Sequence, residues 1–293
     1  MFSVPKDSVL ISDGGLATEL EARGHDLSGD LWSARLLMDH PDEIIAVHSA
    51  FFESGSGIAT TASYQASFDG FANHGMSGAE AEQLLRRSVE LAKTARDRSG
   101  GTGWVAASVG PYGAALSNGA EYIGRYGLSV SELAEWHRHR LEVLVSAGPD
   151  VVALETIPDI DEAEALIGLV QDLGMPAWLS YTISGDRTRA GQPLAEAFSV
   201  AAGVPEVVAV GVNCCAPTDV LNAVRVARSV SGKPVVVYPN SGEEWDGDRR
   251  AWKGLPGYSG DLAARWVAEG ARIVGGCCRI RPADIAALAA AVG

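Results

Sequence analysis

Short apolar runs recur along the chain. Each follows an amphipathic stretch and a glycine, and each ends in polar or sulfur-bearing residues. The runs fall at 8–12, 58–62, 104–108, 151–154, 177–182, 207–212, 235–238 and 271–275. Several are apolar at every position rather than at alternate ones, the pattern of strands covered on both faces in a parallel sheet. Before many of them stands a glycine, often with a proline close behind, as in Ala147-Gly148-Pro149, Leu173-Gly174-Met175-Pro176 and Ser231-Gly232-Lys233-Pro234. That is the chemistry of a helix ending and the chain turning into the next strand.

Helical spacing fills most of the gaps. Residues 42–54 carry Ile44, Ile45, Val47, His48 and Phe51 on one stripe, and further helices are predicted at 159–173, 193–202, 218–230, 260–269 and 282–292. Ser77 with Glu80, and Ser129 with Glu132, read as capping boxes that open two long helices. Eight strands alternating with helices, without a Pro/Ser-rich linker, predict a (β/α)₈ barrel spanning 1–293 as one domain. A doubly wound α/β sheet is the second choice. Segments 16–41 and 111–128 are longer than barrel closure requires, and both follow strands, on the face where such barrels build their sites.

Composition narrows the partners. The 293 residues are 47% hydrophobic and 20% charged, as in globular proteins, with a net charge of −14 and an isoelectric point near 4.8. An acidic chain without Lys/Arg clusters argues against nucleic acid or an anionic membrane as partner. No signal peptide or membrane-length apolar run is visible, so a cytoplasmic protein, monomeric or a small homo-oligomer, is expected. All four cysteines stand in adjacent pairs, Cys214-Cys215 and Cys277-Cys278, which suits metal binding or chemistry better than a disulfide framework.

The polar ends of the strands gather on one face: Asp13-Gly14-Gly15, Thr61, Glu155-Thr156, Cys214, Asn240 and Cys277-Cys278. Three thiolates converging from two strand ends would hold zinc with one position open, the catalytic arrangement. Small buried thiols or a Cys277–Cys278 disulfide are the alternatives. Successive strand residues point in opposite directions, so Cys215 is expected to pack away from the other three. Asp13 reads either as an anchor for a substrate ammonium or as a local turn residue. A carboxylate at Glu155, directly after an apolar strand, is costly to bury unless it is functional or paired with an arginine. Tyr64, Tyr112, Tyr122, Tyr126, Tyr238, Trp245 and Trp252 cluster in post-strand loops and can face a cationic ligand. His48, His137 and His139 read as helix-surface residues, and no Gly-rich phosphate loop opens a helix.

These stretches together resemble the zinc-dependent homocysteine S-methyltransferases, in particular the stand-alone type that uses S-methylmethionine or S-adenosylmethionine. The resemblance runs through Asp13-Gly14-Gly15-Leu16-Ala17-Thr18-Glu19-Leu20, Leu31-Trp32-Ser33-Ala34, Thr61-Ala62-Ser63-Tyr64-Gln65-Ala66 and Ser108-Val109-Gly110-Pro111-Tyr112-Gly113. It continues through Glu155-Thr156, Gly211-Val212-Asn213-Cys214, Tyr238-Pro239-Asn240-Ser241-Gly242-Glu243 and Gly275-Gly276-Cys277-Cys278. It implies a (β/α)₈ barrel, zinc on Cys214, Cys277 and Cys278, and homocysteine held by Asp13 and Glu155. Gly14, Gly15, Thr61 and Asn240 lie in the matched motifs and are expected in the substrate site. Cys215 stands outside the family's ligand set. The implied substrates are homocysteine and a sulfonium donor, with betaine as an alternative donor. A thiol-activating subunit for a corrinoid protein and a non-catalytic zinc or redox protein are the rivals.

Overall fold

In the computed structural model, which describes residues 2–27, 32–246 and 251–293, eight parallel strands form one sheet that curls into a barrel. They are β1 (Leu10–Ile11), β2 (Ile58–Thr60), β3 (Trp104–Val109), β4 (Val151–Ile157), β5 (Ala177–Tyr181), β6 (Val207–Asn213), β7 (Val235–Tyr238) and β8 (Ala271–Val274). From β2 to β8 each strand pairs with the next in sequence, and β8 pairs with β1. The seam between β1 and β2 is bridged by the Gly57 amide on the Ile11 carbonyl at 2.8 Å. All eight predicted strands are present, and the barrel, not the doubly wound sheet, is the fold. Leu31 lies outside the described residues, as do the side chains of Trp32, Ser33, Trp245 and Trp252.

Two apolar layers hold the barrel. Outside, the strands pack on helices such as Pro41–Glu53, Gly78–Arg98, Val130–Ser146 and Pro217–Ser231. Inside, Ile58, Ala106, Val151, Ala153, Trp178, Ala209, Val236, Tyr238 and Ile273 fill the lumen, with Phe2 packed on Trp104 and Trp178. The period of two carries each strand's inward series upward, from Ala106 to Ser108, from Ala153 to Glu155 and from Val236 to Tyr238. The apolar plug therefore gives way to polar groups at the C-terminal ends of the strands.

Gly211 marks how tightly the wall is built. A Cβ there would lie 1.7 Å from the Val236 carbonyl oxygen on β7. Gly211→Ala must push two barrel strands apart, and is expected to lower unfolding free energy by about 3 kcal/mol in urea titration.

The local signals hold well. Both capping boxes form, at Ser77/Glu80 and Ser129/Glu132. Gly174 and Gly232 end their helices at positive φ (60° and 67°). The helix expected at 193–202 is shorter, Leu194–Ser199, and gives way to a turn that ends at Gly203 with φ +76°; before it the chain makes a small hairpin, Ile183–Ser184 with Arg187–Thr188. The extra length after β1 contains a helix, Leu16–Ala22. The histidines need correction: His48 and His137 are fully buried and only His139 is on the surface. His48 falls in register with Ile44 and Phe51, and His137 with Leu133, Leu141 and Leu144, so each lies on the stripe its helix turns to the core. His137 contacts the buried Glu162 carboxylate at 2.9 Å.

Candidate metal and substrate site

Cys214 follows β6 directly, and Cys277 and Cys278 follow β8 after two glycines; only β7 stands between the two strands. The three Sγ atoms lie within 4.8 Å of one another, with Cys214 to Cys278 at 3.7 Å and Cys277 to Cys278 at 4.0 Å. Tetrahedral zinc with bonds of about 2.3 Å separates its sulfur ligands by about 3.8 Å. The thiols therefore stand at ligand spacing, and the donor set fits the zinc cofactor.

The backbone works to achieve this. Cys214 takes φ +50°, a left-handed conformation that breaks strand alternation and turns its thiol toward the other two. The Cys214 amide donates to the Tyr238 carbonyl at 3.2 Å. Cys215 continues into the helix-side core, fully buried among apolar groups, and its thiol is raised far above the ordinary range by that burial. As expected, it takes no part in the cluster.

Opposite, the Tyr238–Glu243 loop splints the cysteine pair. Asn240 Oδ1 accepts the Cys278 amide at 3.1 Å, the Ser241 amide donates to the Cys278 carbonyl at 3.0 Å, and the Cys277 amide to Pro239 at 2.8 Å. Asn240 thus acts on the cysteine backbone. Gly14 and Gly15 serve the same loop: a Cβ on Gly15 would lie 2.6 Å from the Cys277 carbonyl oxygen, and one on Gly14 2.5 Å from that of Ile280. Their lack of a side chain lets the β1 and β8 loops meet backbone to backbone.

Charge in the metal-free cluster is shared unequally. Cys214 is held well below the usual thiol range by hydrogen bonds from Cys277 and Cys278, aided by the Tyr122 hydroxyl at 3.3 Å and the field of Arg189. That negative charge pushes Cys277 and Cys278 up. A metal replaces these shared protons.

Two carboxylates lie beside the thiols. Asp13 is buried and accepts from the Thr60 amide (2.6 Å), the Thr60 hydroxyl (2.8 Å) and the Ser12 hydroxyl (3.2 Å). It is thus tied across the β1–β2 seam rather than into its own turn. Glu155 is buried among hydroxyls, bonded by Ser108 and Tyr238, instead of meeting a rim arginine. Burial pushes both up to about 7, and for Glu155 the Asp13 carboxyl and Cys214 add to the effect. Thr156, next to Glu155, sits at φ +60° and is held by Asn213, whose Oδ1 takes its amide and whose Nδ2 donates to its hydroxyl, both at 2.7 Å. Thr61 is spent internally, on Ser63 Oγ at 2.7 Å and the Ser108 amide at 3.0 Å.

All the expected residues therefore gather at one end of the barrel: three thiols at metal-ligand spacing, two buried carboxyls, and the groups that hold them. Tyr122 belongs here too, foreseen only as one rim aromatic among seven. Glu121 and Arg189 had no sequence signal, since they lie in aperiodic loops. A groove of about 470 Å³ lined by Met38, Met76, Glu80 and Arg87 lies on the outer helices, away from the thiols.

Comparison with known proteins agrees with this site. The pattern of the homocysteine S-methyltransferase family matches residues 10–292. The chain is 43% identical to the homocysteine S-methyltransferase of Escherichia coli K12, covering 97% of this chain and 96% of that one. It is 40% identical to homocysteine S-methyltransferase YbgG of Bacillus subtilis, covering 96% and 94%. The crystal structure of the homocysteine methyltransferase MmuM from Escherichia coli in its metallated form superposes with a TM-score of 0.88 at 42% identity, covering 97% of this chain and 96% of that one. With a cysteine trio at zinc-ligand spacing and a near full-length match in sequence and fold, the chain belongs to the homocysteine S-methyltransferase family.

Proposed function

We propose that the protein transfers a methyl group from a sulfonium donor, S-methylmethionine ahead of S-adenosylmethionine, to the thiol of homocysteine, giving methionine. The observation that carries this reading is three thiol ligands at metal spacing beside two buried carboxylates. A storage or redox site has no use for the carboxylates.

Cys214, Cys277 and Cys278 would hold the zinc, which, when bound, would supply Lewis acidity that favours the thiolate form of the substrate thiol. The remaining work is done by the chain. Asp13 and Glu155, once ionised, receive the homocysteine ammonium and fix the sulfur in line with the donor methyl. In the transfer the homocysteine sulfur lone pair forms the new S–CH₃ bond. The old CH₃–S⁺ bond breaks with its electron pair left on the donor sulfur, now a neutral thioether. The thiol proton has already gone to solvent, so no general base is needed at this step. Asn213, holding Thr156, and Asn240, holding Cys278, keep both halves of the site in place.

Among the described residues no helix is long and apolar enough to cross a membrane. Three reduced thiols suit a reducing compartment, and we place the enzyme in the cytoplasm, acting on small molecules as a monomer or small homo-oligomer.

Zinc-loaded protein with homocysteine is expected to form methionine fastest with S-methylmethionine, more slowly with S-adenosylmethionine, and not with betaine. Chelation should stop the reaction and added zinc restore it. Bound zinc with no methionine from any donor overturns the proposal.

A further inference from the structure

On the proposed function Asp13 and Glu155 take the acceptor's amino group, which leaves the amino-acid end of the donor without an assigned partner. Two charged groups lie within electrostatic reach of Cys214, which the Tyr122 hydroxyl touches. Tyr122 lies in the long loop after β3 and reaches Cys214 Sγ with its hydroxyl. Its sequence neighbour Glu121 is half-buried and has a buried Oε2 without a partner. Burial, and to a smaller extent the charge of Cys214, raises this carboxyl. The second charge is Arg189, from the loop after β5. Its guanidinium carbon is 5.6 Å from the centre of the Tyr122 ring, its Nε is buried without a partner, and among the described residues no carboxylate pairs with it. The neighbouring Tyr126 hydroxyl is likewise buried and unpartnered.

Buried donors and acceptors left unmatched are costly, and a ligand that supplies the missing partners recovers that cost on binding. A carboxylate oxygen and a guanidinium nitrogen buried without hydrogen-bond partners, both within electrostatic reach of Cys214, match an α-amino acid, whose ammonium and carboxylate sit on one carbon. Around them the same loop leaves Leu116, Tyr122 and Ile123 exposed, apolar surface suited to an aliphatic chain. In a methionine-type donor two methylenes separate that carbon from the sulfonium, a short reach from Tyr122 to the sulfur it touches.

We propose that Glu121 and Arg189 form the docking subsite for the zwitterionic end of the methyl donor, Glu121 taking its ammonium and Arg189 its carboxylate. The subsite rests on the sulfonium-donor reading of the function. It gives S-methylmethionine and S-adenosylmethionine the same anchor, and leaves betaine, which has a carboxylate but no donor protons on nitrogen, with only half of it.

The test is equilibrium binding of the donor, with a separate steady-state assay for the homocysteine KM. S-methylmethionine is titrated calorimetrically into zinc-loaded protein in the absence of homocysteine, for wild type, Glu121→Gln, Arg189→Met and Arg189→Lys. Dimethylpropylsulfonium, which has the same sulfonium and no amino-acid end, is titrated in parallel. Loss of a charge-assisted contact should weaken S-methylmethionine by about 10- to 100-fold in Glu121→Gln and Arg189→Met. Arg189→Lys should recover part of the loss. Dimethylpropylsulfonium binding in both variants, and zinc content and the homocysteine KM in Glu121→Gln, should stay within about threefold of wild type, a shift of under 0.7 kcal/mol by the tenfold rule of about 1.4 kcal/mol.

Unchanged S-methylmethionine affinity in both variants overturns the subsite, as does equal weakening of the sulfonium that lacks the amino-acid end. A rise in homocysteine KM in Glu121→Gln instead assigns the pair to the acceptor and also overturns it. Wild-type protein that binds S-methylmethionine through these residues yet makes no methionine overturns the reaction and leaves the subsite standing.

Discussion

Cys277→Ala is expected to yield a folded protein that has lost its zinc and its methyl transfer together. Apparent zinc binding energies of about 10–16 kcal/mol, spread over four ligands, come to about 3–4 kcal/mol each, or about 10²–10³ in affinity. A site with only Cys214 and Cys278 should keep less than about a tenth of the wild-type metal after dialysis, with activity down at least about 10³-fold. The fold should survive, because the backbone of residue 277 makes the contacts that shape the loop. Its amide reaches Pro239, and its carbonyl accepts the Ile280 amide at 3.2 Å. Cys215→Ala is the control. That thiol is in the helix-side core, so the variant should retain zinc and turnover and lose about 1–2 kcal/mol of stability through the small cavity. Metal analysis by atomic emission, beside a urea titration, separates the two. Full zinc occupancy in Cys277→Ala, or metal loss in Cys215→Ala, would mean that the ligand set is wrong.

The contrast between these neighbouring cysteines also shows what the sequence could disclose. Strand period and turn chemistry are local, so eight strands, two capping boxes and the glycine stops are readable from spacing. The division of labour between Cys214 and Cys215 is readable for the same reason, although the left-handed turn that aims Cys214 is not. Residues whose environment is assembled from distant loops are out of reach. Arg189 and Glu121 come from segments without periodicity and far apart in sequence, and Arg189 reaches the loop that carries Glu121 at the Tyr122 ring. Gly14 and Gly15 are expected in the substrate site, and the sequence does not disclose that the Cys277 and Ile280 carbonyls pass against them. His48 and His137 read as surface residues because a polar side chain weighs against burial in a pattern, while helical register places both on core-facing stripes. At Asp13 and Glu155 the residue type signals a site. Only the structure shows that Thr60 holds one and Ser108 and Tyr238 the other.

Those two carboxyls carry the second large effect, a gain and a loss in one substitution. Asp13 and Glu155 ordinarily titrate near 3.8 and 4.5, and burial in the folded protein raises both to about 7. Between pH 5 and 7 the folded state therefore binds protons that the unfolded chain has released. Their contribution to stability is complete below the unfolded values and is lost as pH rises through about 7. A tenfold difference in proton affinity between folded and unfolded chain is worth about 1.4 kcal/mol, so a few kcal/mol of wild-type stability should disappear between pH 5 and 8. Glu155→Gln removes one of these charges. At pH 8 it should be more stable than wild type by about 1–3 kcal/mol in urea, and at pH 5 the two should converge. The same variant should lose about 10²-fold or more in kcat/KM, most of it in the homocysteine KM, because a neutral amide is a poor partner for an ammonium. Wild-type homocysteine KM should fall as pH rises from 6 to 8, and that step should be smaller in Glu155→Gln, which separates carboxyl ionisation from ionisation of the homocysteine thiol. A variant that is no more stable at pH 8 and keeps its homocysteine KM would show that Glu155 is neither strained nor an anchor. Stability and binding are joined here through one charge. Two carboxyls buried in a barrel mouth cost the free enzyme stability once ionised, and on the proposed function the homocysteine ammonium is the group that would neutralise them.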